Sequence, residues 1–151
     1  MVKKYRAYII LALIVLFLDQ LSKYLVKHWM ISTTGNFLDI SYTTNIGSLF
    51  SLFDSVGLIN IVFILISFLA IGFLIYYAEM EKDFSLGVGL LLGGILGNLF
   101  DRLLSGAVVD WINFHFWPIF NLADAGIVCG VILVVYTVMA KDQAGKKKNQ
   151  K

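Results

Sequence analysis

The chain has 151 residues, of which 59% are hydrophobic and 15% charged, with a mean hydropathy of +0.83. A soluble domain of that size needs far more polar surface, so the composition excludes an ordinary water-soluble fold and implies a membrane protein. The net charge of +2 excludes little by itself; the placement of the basic residues carries the information. A bilayer core takes roughly 20 apolar residues per helix, so about 80 residues supply four spans and leave only short loops and tails. Residues 1–151 are therefore read as a single integral membrane domain. Cys129 lies in an apolar run, has no second cysteine to pair with, and reads as a small packing residue.

Met1 to Arg6 is a basic head, and the first span follows at about 8–26. A basic head before an apolar run also describes a secretory signal peptide. Here Asp19, Gln20 and Lys23 interrupt the run and no small-residue cleavage site follows, which argues against that reading. Asp19 precedes Lys23 by four residues, so the two share a helix face and can pair. An interfacial ion pair with Lys23 and Lys27 snorkelling outward would account for them, but the depth of Asp19 suggests a bundle-facing role.

From Thr33 to Ser51 the pattern changes. Leu38, Ile40 and Tyr42 alternate with Asp39, Ser41 and Thr43, which predicts a short strand between turns at Gly35-Asn36 and Asn45-Ile46-Gly47. Unpaired strand edges cannot face lipid tails, so this loop is expected at headgroup depth or above, as a small cradle between the first two helices. The second span, about 56–77, is nearly free of polar side chains beyond Asn60 and Ser67, and a charged turn follows at Glu79–Asp83.

The third span, about 84–104, has a readable geometry. Gly89, Gly93, Gly97 and Asp101 fall at intervals of four, as do Gly94, Asn98 and Arg102. Small residues at that spacing let another helix approach closely, and each ladder ends in polar groups. A glycine packing motif capped by an interfacial Asp-Arg pair explains the glycines but leaves Asn98 without a role. Residues 105–120 hold Trp111, His115, Phe116, Trp117 and the only proline, Pro118, and are expected to lie in the membrane surface. The fourth span is read at about 121–140, with Gly126 and Gly130 on a close-approach face and a basic, disordered tail at 141–151. Lys3, Lys4 and Arg6 at one end, Lys82 in the middle turn and the lysines of the tail outweigh Lys23, Lys27 and Arg102, so both termini are expected in the cytoplasm. The strand loop and the aromatic connection then face outward.

Asp110 and Asp124 are fourteen residues apart, about 21 Å on one continuous helix and too far for joint chemistry. Pro118 breaks the helix and lets the chain fold back, bringing Asp110 to the start of the fourth span beside Asp124. Two close carboxylates cannot both ionise comfortably, so one keeps a proton; the ionised one can activate water and the protonated one can polarise a carbonyl. Asn121, three residues before Asp124, shares its face and can hydrogen-bond a carboxylate or a substrate amide. Metal binding would want a histidine cluster, but His28 and His115 are isolated, so no metal and no cofactor are expected. A serine or cysteine nucleophile lacks a nearby base, and the glycines have helical spacing with no phosphate loop among them. The basic tail reads as topogenic charge without a nucleic-acid role. Peptide hydrolysis by an aspartate pair stands beside two alternatives, a small four-span proton-coupled transporter and a non-catalytic assembly subunit.

Four blocks in order resemble the lipoprotein signal peptidase family, the type II signal peptidases. They are Asp19-Gln20-Leu21-Ser22-Lys23, Asn45-Ile46-Gly47-Ser48-Leu49-Phe50, Gly97-Asn98-Leu99-Phe100-Asp101-Arg102, and Val109-Asp110 with Phe120-Asn121-Leu122-Ala123-Asp124. The resemblance covers nearly the whole chain. It implies an all-α membrane protein with four transmembrane helices and an extracytoplasmic β-cradle, set in the bacterial inner membrane with its site near the outer face. It also implies an aspartic endopeptidase that cuts prolipoproteins before a cysteine carrying a diacylglyceryl group, working as a monomer on lipidated substrates. Asp110 and Asp124 match the catalytic dyad. Asn45, Asn98, Arg102 and Asn121, with Gly47 and Ala123, match positions that hold the dyad or the substrate, and Asp19, Lys23 and Asp101 look like structural supports. The chain departs from the family pattern at Ser48 and Leu49, where two small residues are usual, and at Ala125, commonly Ser; both bear on substrate fit.

Overall fold

The computed structural model describes residues 2–29, 31–47, 56–80 and 85–149. Within them the order is α1 (Val2–Trp29), β1 (Asp39–Asn45), α2 (Val56–Met80), α3 (Ser85–Ser105), β2 (Val108–Asn113) and α4 (Leu122–Asn149). Each of the four helices holds a segment long and apolar enough to cross a bilayer. Ser48, Leu49 and Phe50 of the second resemblance block, and residues 81–84 of the charged turn, lie outside the described residues.

The α3 helix is the centre of the bundle, and its glycines explain why. Gly89 and Gly93 face α1: a methyl at Gly93 would lie 2.7 Å from the Ala12 carbonyl oxygen and 2.6 Å from Val15 Cβ. Gly94 faces α4, where a methyl would overlap the Ala123 carbonyl oxygen, and Gly87 meets Gly130 and Val134 of the same helix. The two ladders thus seat two different helices against α3, with backbones close enough that only hydrogen fits. By contrast α2 packs on α3 with most of its surface outward, as expected of a helix with so few polar groups.

The bundle is inside-out relative to a soluble protein. Large apolar side chains such as Phe17, Leu69 and Tyr136 are exposed, whereas Asp19, Lys23, Asn98, Asp101, Asp110 and Asn121 are buried. Lipid solvates the first group, and the second must find hydrogen-bond partners within the protein. Burial of Lys23 rules out its snorkelling. Cys129 is exposed on α4, so it faces outward and has no role in helix packing.

The cradle is a two-stranded antiparallel sheet of β1 and β2, with Asp39 opposite Asn113 and Asn45 opposite Val108. Its second strand comes from between α3 and α4, in a segment expected to be a surface connection. A register irregularity between Ile40 and Thr43 sets Thr43 opposite Asp110. Phe120 then bridges Ile112, with Ile112 N donating to Phe120 O at 2.9 Å and Phe120 N to Ile112 O at 3.1 Å. That bridge folds residues 113–119 back on themselves and delivers Asn121 beside Val109 and Asp110 at the head of α4. The tail differs from its expected disorder, since α4 continues to Asn149. Its alanine, glutamine and lysine residues are good helix formers, and Lys146 pairs with Asp142 one turn earlier at 2.7 Å.

Candidate active site

Asp124 owes its position to the start of α4. Asn121 precedes the first helical residue, and its Oδ1 accepts the Asp124 N–H at 2.9 Å. Asp124 Oδ2 in turn accepts the Asn121 backbone N–H at 3.2 Å. This reciprocal pair is a capping box with Asn and Asp in place of the usual Ser and Glu, and it satisfies two backbone donors at once. A third N-terminal donor, the Ala123 N–H, reaches across to Asp19 Oδ1 on α1 at 2.9 Å. The positive end of α4 therefore points at two carboxylates. Ala123 is fully buried, with its carbonyl oxygen against Gly94 and its methyl against Gly97.

Asp110 is held from two sides. Asn121 Nδ2 donates to Asp110 Oδ1 at 2.7 Å, and Asn45 Nδ2 donates to Asp110 Oδ2 at 2.9 Å. Asn45 is itself oriented by the Gly47 N–H, which donates to Asn45 Oδ1 at 2.8 Å. Gly47 has a φ of 80° and a methyl there would run into the Phe63 ring, so both its conformation and its space call for glycine. Burial pushes the Asp110 carboxyl above the usual carboxylate range, the Asn45 amide pulls it back, and the charge of Asp124 adds to the upward shift.

Asn98 links the two acids to the interior. Its Nδ2 donates to Asp124 Oδ1 at 2.7 Å, and its Oδ1 accepts from Lys23 Nζ at 3.2 Å and from Asn121 Nδ2 at 3.1 Å. Lys23 can only donate, which fixes which end of the Asn98 amide faces Asp124. Lys23 Nζ also lies 2.7 Å from Asp19 Oδ2 and 2.9 Å from Asp101 Oδ2. Asp101 Oδ2 accepts the Val109 N–H at 3.1 Å, tying the end of α3 to β2 one residue before Asp110. Asp19, Lys23 and Asp101 thus join α1, α3, α4 and the sheet through one buried cluster.

Gln20, in sequence both an interruption of the first span and a member of the first resemblance block, has defined partners. Its Nε2 donates to Asp101 Oδ1 at 2.9 Å and to the Gly97 carbonyl at 3.1 Å, so it completes the hydrogen bonding of Asp101. Four residues separate Asp101 from Gly97, a spacing that could have pointed to it. Arg102 stands further from the acids: its guanidinium lies 4.7 Å over the Phe63 ring, its Nη1 reaches the Asn98 carbonyl at 3.4 Å, and no ion pair joins it to a carboxylate among the described residues. It still contributes positive charge near the acids.

A cleft of about 280 Å³ opens beside Asp110, walled by Thr43, Thr44, Asn45, Ile46, Pro118 and Ile119. Asp110 lines it, and half-buried Asp124 is tied to Asp110 through Asn121. Among the described residues no group of three or more His, Cys, Asp or Glu side chains has the arrangement of a metal site.

Comparison with known proteins gives concordant matches. The family model for signal peptidase (SPase) II matches residues 11–140. The chain is 36% identical over 138 residues to the lipoprotein signal peptidase of Moorella thermoacetica, covering 87% of this chain and 92% of that protein. It is 36% identical over 144 residues to the lipoprotein signal peptidase of Halothermothrix orenii, covering 90% and 97%. A solved structure described as a bacterial membrane enzyme superimposes with a TM-score of 0.79 at 30% identity, over 92% of this chain and 90% of that one.

Proposed function

The chain belongs to the signal peptidase II family, and from that premise we propose that Asp110 and Asp124 are its catalytic dyad, which makes it an aspartic-type endopeptidase. It is a multi-pass bacterial membrane protein that removes signal peptides from prolipoproteins, and the cut falls before the diacylglyceryl-modified cysteine. The transporter reading has no support from these relatives. The observation that carries the dyad assignment is the single amide of Asn121, which donates to one carboxyl group while its oxygen caps the amide of the other.

The division of labour follows from the surroundings. Asp110 is buried, faces the charge of Asp124 and is shifted toward its protonated form, so it holds the shared proton and polarises the scissile carbonyl. Asp124 lies at the positive end of α4 and receives two amide donors, so it carries the negative charge and takes a proton from the attacking water. Water adds to the carbonyl carbon, Asp110 gives its proton to the developing oxyanion, and collapse of the tetrahedral intermediate breaks the peptide C–N bond. The amine leaves with the proton that Asp124 took, and one hydroxyl of the collapsing diol returns its proton to Asp110 as it becomes the carbonyl of the acid product.

Asn45, Gly47, Asn98, Asn121 and Ala123 serve as the frame of the dyad, and Asp19, Lys23 and Asp101 as the buried strut behind that frame. Arg102 adds positive charge near the acids. The cleft walled by Thr43, Ile46 and Ile119 takes the residues before the cut. With the basic head and tail cytoplasmic, the cradle and dyad face the outer leaflet, where a lipid-anchored cysteine lies. The protein acts as a monomer in this reading.

The test is one incubation of purified protein with a diacylglyceryl-modified precursor, read by mass. Asp110→Asn and Asp124→Asn should each abolish cleavage while the protein still inserts and folds. Full activity in either variant would defeat the dyad assignment, and activity lost to a chelator and restored by metal would point to a different mechanism.

A further inference from the structure

A second cavity, about 350 Å³, lies between α1 and α3 and shares no lining residue with the cleft at Asp110. Its wall includes Gln20, Lys23, Lys27, His28, Asp101 and Ser105. A third, about 310 Å³ and almost wholly apolar, is lined by Leu13, Leu16, Phe17, Gln20 and Phe100. Gln20 belongs to both walls, so the two adjoin along one seam. Leu13, Leu16, Phe17, Gln20, Tyr24 and Lys27 recur at three- and four-residue steps and form one stripe of α1.

The stripe is polar and basic at one end and apolar at the other. From Leu13 to Lys27 the helix rises about 21 Å, which is one leaflet of a bilayer, since the full thickness with headgroups is about 40–45 Å. The charge in the polar half is unevenly spent. Lys23 is used by Asp19 and Asp101, and Asp101 is further satisfied by Gln20 and the Val109 amide. Lys27 has no carboxylate within 4.0 Å among the described residues and remains available to an anion. His28 adds an imidazole at the same level, whereas the Ser105 hydroxyl is taken by the Asp101 and Ala107 carbonyls at 2.9 and 3.1 Å.

We infer that this seam binds one anionic phospholipid of the surrounding bilayer, with its phosphate against Lys27 and an acyl chain over Leu13, Phe17 and Phe100. The length of the stripe, its polar-to-apolar order and the unspent lysine together match a single lipid of one leaflet. The site backs onto the strut of Lys23 and Asp101 but shares no lining residue with the cleft at Asp110, and its test reads binding alone.

Purified full-length protein in detergent is mixed with equimolar dioleoylphosphatidylglycerol and dioleoylphosphatidylcholine, and the lipid retained is counted by native mass spectrometry. One phosphatidylglycerol should be kept in preference to phosphatidylcholine. Lys27→Gln should weaken that retention about fivefold, the weight of one lysine beside an anionic headgroup. Leu13→Trp, which fills the apolar half, should weaken retention of both lipids. Lys146→Gln, on the far end of α4, should leave retention unchanged and so controls for general attraction to basic residues. Unfolding midpoints measured without lipid should be the same for all three variants, which separates lost binding from lost folding. Equal retention of the two lipids, or an equal loss in Lys27→Gln and Lys146→Gln, overturns the inference. So does inorganic phosphate protecting the protein from thermal unfolding as well as phosphatidylglycerol does, because the acyl chain would then have no part in binding.

Discussion

Asn121 Nδ2 lies 2.7 Å from Asp110 Oδ1, while the oxygen of the same side chain accepts the Asp124 N–H at 2.9 Å. One amide therefore caps a helix with its acceptor and holds an acid from a different element with its donor. The two jobs are separable by substitution. Serine is as good a cap as asparagine but has no amide to offer Asp110. Asn121→Ser should keep the stability of α4 largely intact while cleavage falls about 10-fold, the weight of one hydrogen bond. Asn121→Ala should lose both, with a further drop of about 1 kcal/mol from the missing cap. Turnover of the lipidated precursor and the unfolding midpoint, measured on both variants, check this. Wild-type turnover in Asn121→Ser would show that the amide does not hold Asp110 for catalysis.

The raised pKa of Asp110 fixes the sign of a pH dependence. Its carboxyl holds a proton more tightly in the folded protein than in the unfolded chain, first because it is buried and further because of the charge on Asp124. Between the ordinary carboxylate value of 3.8 and the raised folded value, the native state binds more protons than the unfolded state. This contribution to stability is fully present below 3.8 and is lost as pH rises through the folded value. Wild-type protein should therefore gain stability relative to Asp110→Ala as pH is lowered from neutral toward that range. Unfolding midpoints of the pair at neutral and mildly acidic pH test it; a difference that is constant or changes the other way contradicts the shift.

The buried cluster behind the dyad predicts a different kind of damage. Lys23 Nζ sits between Asp19 Oδ2 and Asp101 Oδ2 at 2.7 and 2.9 Å. Lys23→Met would leave two buried carboxyl groups without their counter-charge, and breaking such a pair costs about 3–5 kcal/mol. It also removes the donor that orients Asn98, so turnover should fall with stability. Adding Asp19→Asn to Lys23→Met should recover part of the stability, because one uncompensated charge is gone. A double variant no more stable than the single one would mean that the cluster's charges are not what holds these helices together.

Much of this site was legible before any coordinates. The two glycine ladders of α3, the Asp19–Lys23 spacing and the meeting of Asp110 with Asp124 all follow from helical period and from the expense of charge in an apolar setting. The strand of residues 108–113 was hidden because Trp111 and Ile112 beside a proline-containing, aromatic run read as well for a surface segment. Its pairing with β1 is a contact between elements some 65 residues apart, and no local period reports that. Lys23 illustrates the same limit. Local spacing pairs it with Asp19 and allows it to snorkel; only the arrival of Asp101 and Asn98 from α3 makes its burial tolerable. The tail beyond 140 reads as basic and disordered in sequence, whereas Asp142 and Lys146 are spaced to pair on a helix.

The glycine ladder gives the sharpest contrast between two substitutions of the same kind. A methyl on Gly94 would run into the Ala123 carbonyl oxygen and lie 2.7 Å from Ile127 Cγ1, and a backbone oxygen cannot swing aside. Gly94→Ala must push α4 away from α3, at a cost of about 1–3 kcal/mol for overpacking. Asn98 lies one turn further along α3 and holds Asp124 across that interface at 2.7 Å, so the separation also draws the amide from the acid. Turnover should fall even in the fraction of molecules that fold. Gly72 on α2 meets nothing within 4 Å, so Gly72→Ala should leave turnover unchanged and move stability by less than about 1 kcal/mol. Unfolding midpoints and turnover of the two variants, taken side by side, decide the matter. Equal behaviour would mean that close contact of α3 with α4 does not position Asp124, and that the order of its surroundings comes from the cap at Asn121 alone.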